Sequence, residues 1–252
     1  MSRPEAAGLL EKFAPISKAI RKGDLVSFKR SLGPEGGNEK WFFQKGILLP
    51  MLHRCEVLVW RSLARRVFLL TYQFPSDPNS RKAPTLDLMD LVAAVQYCQK
   101  VLEGWERPVD PMTMMQAGRT HTNTIFMKPP DLVLPSGGAK QLGAHEGTVF
   151  GNQIPDLLEI EGTVASLVQQ GLLRGFISHN QGKFAILGAK QRGGPLKAGF
   201  PDVFEVLKTR AEREGRETEV PGWVQTERKG GMGMMGGVVN LSGIARPVGS
   251  GG

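Results

Sequence analysis

Hydrophobic residues in the N-terminal third of the chain recur at helical spacing and predict helices joined by tight turns. Residues 16–22 and 26–32 both have this spacing. Between them, Gly23 suits the left-handed backbone that ends a helix, and Asp24 is a preferred N-cap. Two helices joined so closely pack as a hairpin, which is the unit of a helical-repeat array. Residues 34–38, rich in glycine, end this unit.

A longer apolar pattern over 40–72 predicts a second helical segment, broken near Gly46 and Pro50. The side opposite its apolar stripe carries a run of arginines, which usually forms a solvated face. The arginines of this run are Arg54, Arg61 and Arg65. The apolar stripe consists of Leu48, Leu52, Cys55, Val59, Leu63 and Leu70.

The middle of the chain alternates between turn formers and one further helix. Residues 75–84 predict a linker, after which Thr85 is placed to cap a helix. The apolar pattern is lost over 104–147, which predicts a long, partly disordered insertion in which 124–127 has the composition of a strand. The buried side of the helix after Thr85 is predicted to be Leu88, Leu91, Val92 and Val95.

A regular pattern resumes at residue 149. A helix is predicted over 155–171, followed by strands at 176–178 and 183–187 that flank a turn at 180–182. A helix followed by a basic turn and such a hairpin is the order of the last helix and wing of a winged helix. Beyond residue 188 we expect a basic tail with an amphipathic helix at 200–213, which ends in Gly- and Met-rich low-complexity sequence.

The predicted fold class is therefore mainly α, with helical-repeat hairpins followed by a C-terminal winged helix and with a disordered insertion and tail. The predicted segments are the helical-repeat part, the linker with the first winged-helix helix, the insertion, the last helix with the wing, and the tail. Their ranges are 1–75, 76–103, 104–147, 148–188 and 189–252.

Charge and cysteine content narrow the class of protein. The formal net charge is +8 and the isoelectric point is near 9.7, which favours nucleic acid or an acidic protein as partner, although Lys and Arg also serve plain solubility. Cys55 and Cys98 lie in apolar helical patterns without metal-binding spacing, which predicts buried thiols in a reducing compartment. We expect a soluble intracellular protein with no signal peptide and no membrane span.

Basic residues concentrate on the predicted wing rather than on the helix before it. The helix carries Asp156, Glu159 and Glu161, which would repel phosphates and disfavour reading of the major groove. A basic strip beside such a helix can follow a phosphate backbone without reading bases. Phe176 and Phe184 are candidates either for base stacking or for the core of the wing. The candidate nucleic-acid-binding residues are Lys183, Arg174, His179, Lys190 and Arg192, with Lys197 beyond them.

Catalytic and metal-binding patterns are missing from the sequence. The histidines, His53, His121, His145 and His179, have no ligand spacing, so we expect neither a metal nor a cofactor. The glycine-rich segment 230–237 lacks the Gly-Lys-Ser/Thr ending of a phosphate loop. No nucleophile motif or catalytic carboxylate pair is evident, and a non-enzyme is expected.

Three segments resemble proteins with a PCI domain, which is a helical-repeat array ending in a winged helix. They are AIRKGDL at 19–25, WRSLARRVFLL at 60–70 and GLLRGFISH at 171–179. Within that superfamily they resemble one branch, which holds the PCI subunit of the nuclear transcription-coupled mRNA export complex and its paralogue, the twelfth signalosome-associated subunit. The family array is longer before residue 16, so the helical part is expected to be N-terminally truncated.

The resemblance implies three partners. One is a second PCI-domain scaffold subunit, paired winged helix to winged helix, for which Leu172, Leu173 and Phe176 are the candidate contacts. Another is a small acidic proteasome-lid-type subunit on the helical repeats. The third is RNA or DNA, bound without sequence specificity, with Lys183 as the first candidate contact.

The resemblance also implies a role and a location. The expected function is that of a non-catalytic scaffold in nuclear mRNA export or transcription-coupled mRNA processing, located in the nucleus with the cytoplasm as a further site. The alternative is a purely structural PCI subunit of a signalosome-like or proteasome-lid-like complex that does not bind nucleic acid.

Overall fold

The fold, taken from a computed structural model, is mainly helical with one small antiparallel sheet. The structure describes residues 4–73, 82–106 and 132–216, with side chains from residue 8 to residue 212 within these ranges. The helices are α1 (Pro4–Lys22), α2 (Leu25–Leu32), α3 (Glu39–Gln44), α4 (Leu48–Pro50), α5 (Glu56–Thr71), α6 (Leu88–Leu102), α7 (Leu157–Gln169), α8 (Pro195–Gly199) and α9 (Val203–Arg216). The strands are β1 (Thr85–Asp87), β2 (Gly175–Ser178) and β3 (Lys183–Ile186).

The chain divides into a compact unit of residues 1–209 and a second unit of residues 210–252. All packing described below lies within the first unit. No described helix combines the length and the apolar character that crossing a bilayer requires.

The first two helices form the predicted hairpin. Gly23 adopts φ +67°, and the Asp24 carboxylate accepts a hydrogen bond from the Ser27 amide at 2.9 Å, which is the N-cap expected at this position. The turn also packs closely against α5, because a Cβ on Gly23 would lie 2.3 Å from the Leu63 backbone nitrogen. The hairpin is therefore fixed both by its local turn and by direct contact with α5.

The segment from 39 to 71 breaks near Gly46 as predicted, but it does not break at Pro50, and its burial departs from the predicted stripe. Gly46 has φ +68° and separates α3 from α4, whereas the chain continues through Pro50 into one π-helical turn at Met51–Cys55. The prediction for Leu70 is wrong, since its side chain is 54% exposed. Burial follows the i, i+4 rows 59–63–67 and 60–64–68, which turn gradually around the helix and away from Leu70.

The assignment of Thr85 as a helix cap is also wrong. Thr85 is the first residue of β1, and the cap of α6 is Asp87, whose carboxylate accepts from the Met89 amide at 2.9 Å. The sheet has the order β1-β3-β2, with Leu86 paired to Phe184 and Ile177 paired to Phe184 from the other side. The buried side of α6 is as predicted, with Leu88, Leu91, Val92 and Val95 all in the core.

Part of the predicted insertion is packed against the helices. Thr148 donates through its amide and its hydroxyl to Gln99 Oε1, both at 2.8 Å, and Gln99 Nε2 donates to the Gly151 carbonyl at 2.8 Å. The buried Lys29 ammonium donates to the His145 carbonyl at 3.0 Å and to Glu56 at 2.9 Å. Residues 132–147 are thus part of the folded unit, whereas the candidate strand at 124–127 lies outside the described residues.

The start of the predicted tail also belongs to the core. In α8, Ala198 is fully buried, and Phe200, 5% exposed, packs on Phe68 with ring centroids 5.6 Å apart. The predicted amphipathic helix exists as α9, yet Phe204 is 81% exposed. The glycine-rich end of the tail lies outside the described residues. The other segment boundaries remain predictions.

Candidate nucleic-acid and partner interface

The candidate site is built on the β2–β3 hairpin, which follows directly from helix α7. A 3-10 turn, His179–Gln181, and Gly182 at φ +58° connect the two strands. At the base of β2, Gly175 has no room for a side chain, because a Cβ there would lie 2.2 Å from the Ala185 carbonyl oxygen. The hairpin is therefore held tightly on the core by its buried face, with Phe184 fully buried and Ile177 half-buried.

His179 is bonded to the preceding helix. Its Nδ1 lies 2.7 Å from Oε2 of Glu161, whose side chain is only 9% exposed whereas that of His179 is 76% exposed. The other oxygen of Glu161 is buried without a hydrogen-bond partner among the described residues. Glu161 is thus not on the outer face of α7, and one ring nitrogen of His179 already has an acidic partner.

Lys183 is less available for phosphates than the sequence suggested. It is half-buried at the start of β3, and in the sheet its partners are Asp87 of β1 and Ser178 of β2. The Asp87 carboxylate is directed to the Met89 amide, and Lys183 forms no salt bridge within the described residues. The strand beside Lys183 was not predicted, because residues 85–87 have the sequence pattern of a helix start.

The remaining candidate cations are exposed. Arg174, Lys190 and Arg192 have exposed side chains and form no salt bridge within the described residues. The Arg174 amide donates to the Gly199 carbonyl at 2.9 Å, which joins the base of the hairpin to the end of α8. We refer to these three residues as the hairpin cations.

The candidate partner contacts divide into buried and exposed residues. Leu172 and Leu173 are 4% and 1% exposed and belong to the core, so their side chains offer no surface to a partner. Phe176 is 50% exposed on β2, which is an edge strand of the sheet. Phe184 is fully buried and belongs to the core of the hairpin, which removes it as a stacking platform. Only Phe176 of the three contacts thus remains accessible.

Three large apolar side chains are exposed just before α7 and in its first turn, and none of them was a candidate from the sequence. Phe150, Ile154 and Leu158 are 63%, 70% and 69% exposed. The nearby acids are engaged in a capping box, in which Asp156 accepts from the Glu159 amide and Glu159 accepts from the Asp156 amide. The sequence could have indicated the exposure of Leu158, because this residue lies outside the helical spacing of the buried stripe of α7. That stripe is formed by Ile160, Val164 and Leu167.

No cluster of metal ligands occurs in the described ranges, where no three His, Cys, Asp or Glu side chains come together. Both cysteines are free thiols. Burial raises the pKa of Cys98 to about 12, helped by the charge of Asp24, and burial also raises the pKa of Cys55.

Comparison with known proteins gives one partial match. No family model matches the chain. A protein of Schizosaccharomyces pombe named PCI domain-containing protein is 37% identical over 102 residues, which are 38% of this chain and 22% of that protein. The chain thus matches about a fifth of the length of this relative. The match, together with a mainly helical fold, supports membership of the PCI-domain family without selecting a branch of it.

Proposed function

We propose that this chain is a non-catalytic scaffold subunit that pairs with another PCI-domain protein and helps to bind RNA or DNA. Its setting would be nuclear mRNA export or transcription-coupled mRNA processing, in the nucleus and also in the cytoplasm. PCI-domain proteins typically assemble with other subunits, and the partial match supports that role for this chain. The more specific assignment rests on the residues discussed next.

The order of elements supports a winged helix in the C-terminal half. Strand β1 and helix α6 precede α7, and the β2–β3 hairpin follows it. The second hairpin strand lies between β2 and β1, which gives the order β1-β3-β2. In this arrangement α7 takes the position of the last helix and the hairpin that of the wing. The α1–α2 hairpin then stands where the helical-repeat array would join it, and a small acidic subunit would bind that array.

The distribution of exposed cations is the observation that carries the nucleic-acid part of the proposal. The hairpin cations are exposed and unpaired in the described residues, whereas the outer face of α7 has no Lys or Arg. A helix without cations is poorly suited to the major groove, and a basic hairpin beside it is suited to the phosphate backbone. Lys183 and His179 contribute less, because Lys183 is half-buried and His179 lies next to Glu161. Binding would therefore be non-specific and salt-dependent.

Exposed apolar residues support the pairing part of the proposal. Phe176 on the edge strand and Leu158 on α7 are large apolar side chains with half or more of their surface in solvent. Aromatic and aliphatic anchors of this kind supply most of the binding energy in protein interfaces. We call Phe176 and Leu158 the docking residues. Leu172 and Leu173 are not among them, because they are buried in the core.

A binding assay with single-stranded RNA tests the nucleic-acid part. Lys190→Glu with Arg192→Glu should weaken binding at least tenfold, because two phosphate contacts are replaced by repulsion. Lys45→Glu with Arg54→Glu is the matched control, since it changes the net charge equally at exposed residues away from the hairpin. Equal affinity of the two double variants would refute a role for the hairpin.

Affinity purification of the tagged full-length chain tests the pairing part. The expected result is recovery of a second PCI-domain protein, with loss of that protein when Phe176→Asp is combined with Leu158→Asp. If this double variant still recovers the partner, Phe176 and Leu158 are not the docking residues.

The partial neutralisation of the hairpin favours one alternative, a purely structural PCI subunit of a signalosome-like or proteasome-lid-like complex. His179 has Glu161 as an acidic partner and Lys183 is half-buried, so the hairpin tip offers little exposed positive charge. Recovery of signalosome subunits by a chain that binds no RNA would establish this alternative.

A further inference from the structure

A basic groove lies between the helical hairpin and the segment that follows α8. It is open, has a volume of about 500 Å³, and is lined by residues of α1, α5, α8 and the turn at 200–202. Its charged residues are four cations and one acid, a net formal charge of +3 from 4 − 1. These residues are Arg21, Arg61, Arg65, Lys197 and Asp202. Arg61 and Arg65 belong to the run that the sequence assigned to a solvated face.

The Arg61 side chain is hydrogen-bonded to one wall of the groove and does not point freely into solvent. Its Nη2 donates to the carbonyls of Phe200 and Pro201, at 3.3 and 2.5 Å, and so ties α5 to the turn after α8. Its Nε is buried without a partner among the described residues. Burial and the neighbouring charge of Arg65 lower the pKa of the Arg61 guanidinium. The groove thus holds positive charges in close proximity that its own acid does not offset.

The other three cations are available to a ligand. Arg21, Arg65 and Lys197 have exposed side chains, and none of them takes part in a salt bridge within the described ranges. Guanidinium groups offer planar pairs of donors that match phosphate oxygens, and an ammonium adds a point charge. Three such groups around one open groove can contact successive phosphates of a single chain.

The base of the hairpin is bonded to the segment that lines the groove. The Arg174 amide is bonded to the Gly199 carbonyl, and the next residue, Phe200, lines the groove. Exposed positive charge therefore extends from the hairpin cations through Lys197 to Arg65 and Arg21. A phosphodiester chain carries one charge per nucleotide, and this regular density suits cations spread along a track.

We propose that this groove is a phosphate-binding subsite for single-stranded nucleic acid, which carries the strand from the hairpin across onto the helical part of the chain. The inference extends the proposed nucleic-acid function to residues outside the hairpin and in that sense rests on it. Arg21, Arg65 and Lys197 contact phosphates, and Arg61 holds the turn that directly follows α8, the helix that carries Lys197. Sequence specificity is not expected, because no amide side chain lines the groove and its aromatic lining residue, Phe200, is only 5% exposed.

The test uses the full chain and fluorescence anisotropy with a labelled single-stranded RNA over a series of salt concentrations. The groove variant is Arg65→Glu with Lys197→Glu, the hairpin variant is Lys190→Glu with Arg192→Glu, and the control is Lys45→Glu with Arg54→Glu. All three change the net charge by the same amount at exposed side chains. The groove variant should bind at least tenfold more weakly than the control. Its slope of log K against log salt should fall by about 1.4, since each contact to a single strand contributes about 0.7.

The outcomes separate the two proposals. Weakening by the groove variant supports the subsite, whether or not the hairpin variant binds normally. Weakening by the hairpin variant alone overturns the subsite and leaves the proposed function in place. Equal binding by all three variants overturns both. A labelled oligoglutamate peptide provides a further arm: if the groove variant loses this peptide but keeps RNA, the groove is a site for an acidic protein and the subsite is overturned.

Discussion

Replacing Gly23 with alanine tests how closely the first hairpin approaches α5. Gly23 has φ +67°, and a Cβ built there lies 2.3 Å from the Leu63 nitrogen and 2.6 Å from the Leu63 Cα. These are backbone atoms of a helix, which cannot rotate away as a side chain would. Gly37 is the matched control, because its φ is +66° and a Cβ there meets nothing within 4 Å.

The two substitutions share one cost and differ in another. An alanine in the left-handed region costs about 1–2 kcal/mol at either position. The change in unfolded-chain entropy from Gly to Ala is also common to both and cancels in the comparison. Only Gly23→Ala forces α5 and the hairpin apart, by roughly 1 Å, and overpacking of this kind costs about 1–3 kcal/mol. We therefore expect Gly23→Ala to be less stable than Gly37→Ala by about 1–3 kcal/mol.

Urea unfolding followed by circular dichroism measures this difference. The free energy of unfolding should fall more for Gly23→Ala, with an m-value close to that of the unmodified chain. The close approach is also supported if the Gly23→Ala chain does not fold while the Gly37→Ala chain does. A difference smaller than about 0.5 kcal/mol would refute the close approach.

Three further predictions concern buried polar groups and the cysteines. Gln99→Ala should lower the free energy of unfolding by about 2–4 kcal/mol, because it removes the partners of buried groups in the 148–151 loop. Gln96→Ala, which loses one hydrogen bond, should lower it by about 1 kcal/mol. Urea unfolding of both variants compares these losses, and equal losses would contradict the anchoring role of Gln99. The Cys98 thiol, with its pKa raised to about 12, should resist alkylation at pH 8 until the protein unfolds, as mass spectrometry would detect; rapid labelling of the folded chain would disprove its burial. His179→Ala should cost about 1–3 kcal/mol by leaving the buried Glu161 carboxylate unpaired, and a double-mutant cycle with Glu161→Gln should give a coupling of at least about 0.5 kcal/mol.

Features that depend on neighbouring residues could be predicted from the sequence. Gly23 and Asp24 end and begin helices through their own backbone and side chain, so their roles follow from residue type and position. The β2–β3 hairpin was also correctly located, because a short turn joins its strands and brings them together locally. The buried stripe of α7 follows in the same way from helical periodicity.

Features that depend on distant partners could not be predicted. Thr85 has the character of a helix cap, and only pairing with Ala185 makes it part of a strand. Residues 132–151 have no periodic pattern, and they are held on the helices by hydrogen bonds of Lys29 to His145 and of Gln99 to Thr148 and Gly151. Phe200 lies in a stretch of turn formers and is in the core because Phe68 covers it.

Only part of the candidate site could be predicted from the sequence, because some of its contacts also depend on distant residues. Exposed cations such as Lys190 can be recognised from composition and position. The acids beside His179 and Lys183 come from α7 and β1, and their approach depends on the tertiary fold. The groove brings Arg65 and Lys197 together from separate elements, so no local spacing could have indicated it.

The position of β3 at the centre of the sheet has a consequence for synthesis and folding. Strand β1 pairs with β3 alone, and the paired residues Leu86 and Phe184 are roughly a hundred positions apart in the chain. During translation β1 must therefore remain unpaired until the residues of β3, roughly a hundred positions later, have left the ribosome. Closing so long a loop is slow, and we expect it to limit the folding rate of the C-terminal half. A nascent chain stopped before Ile186 would present β1 to chaperones rather than to the sheet.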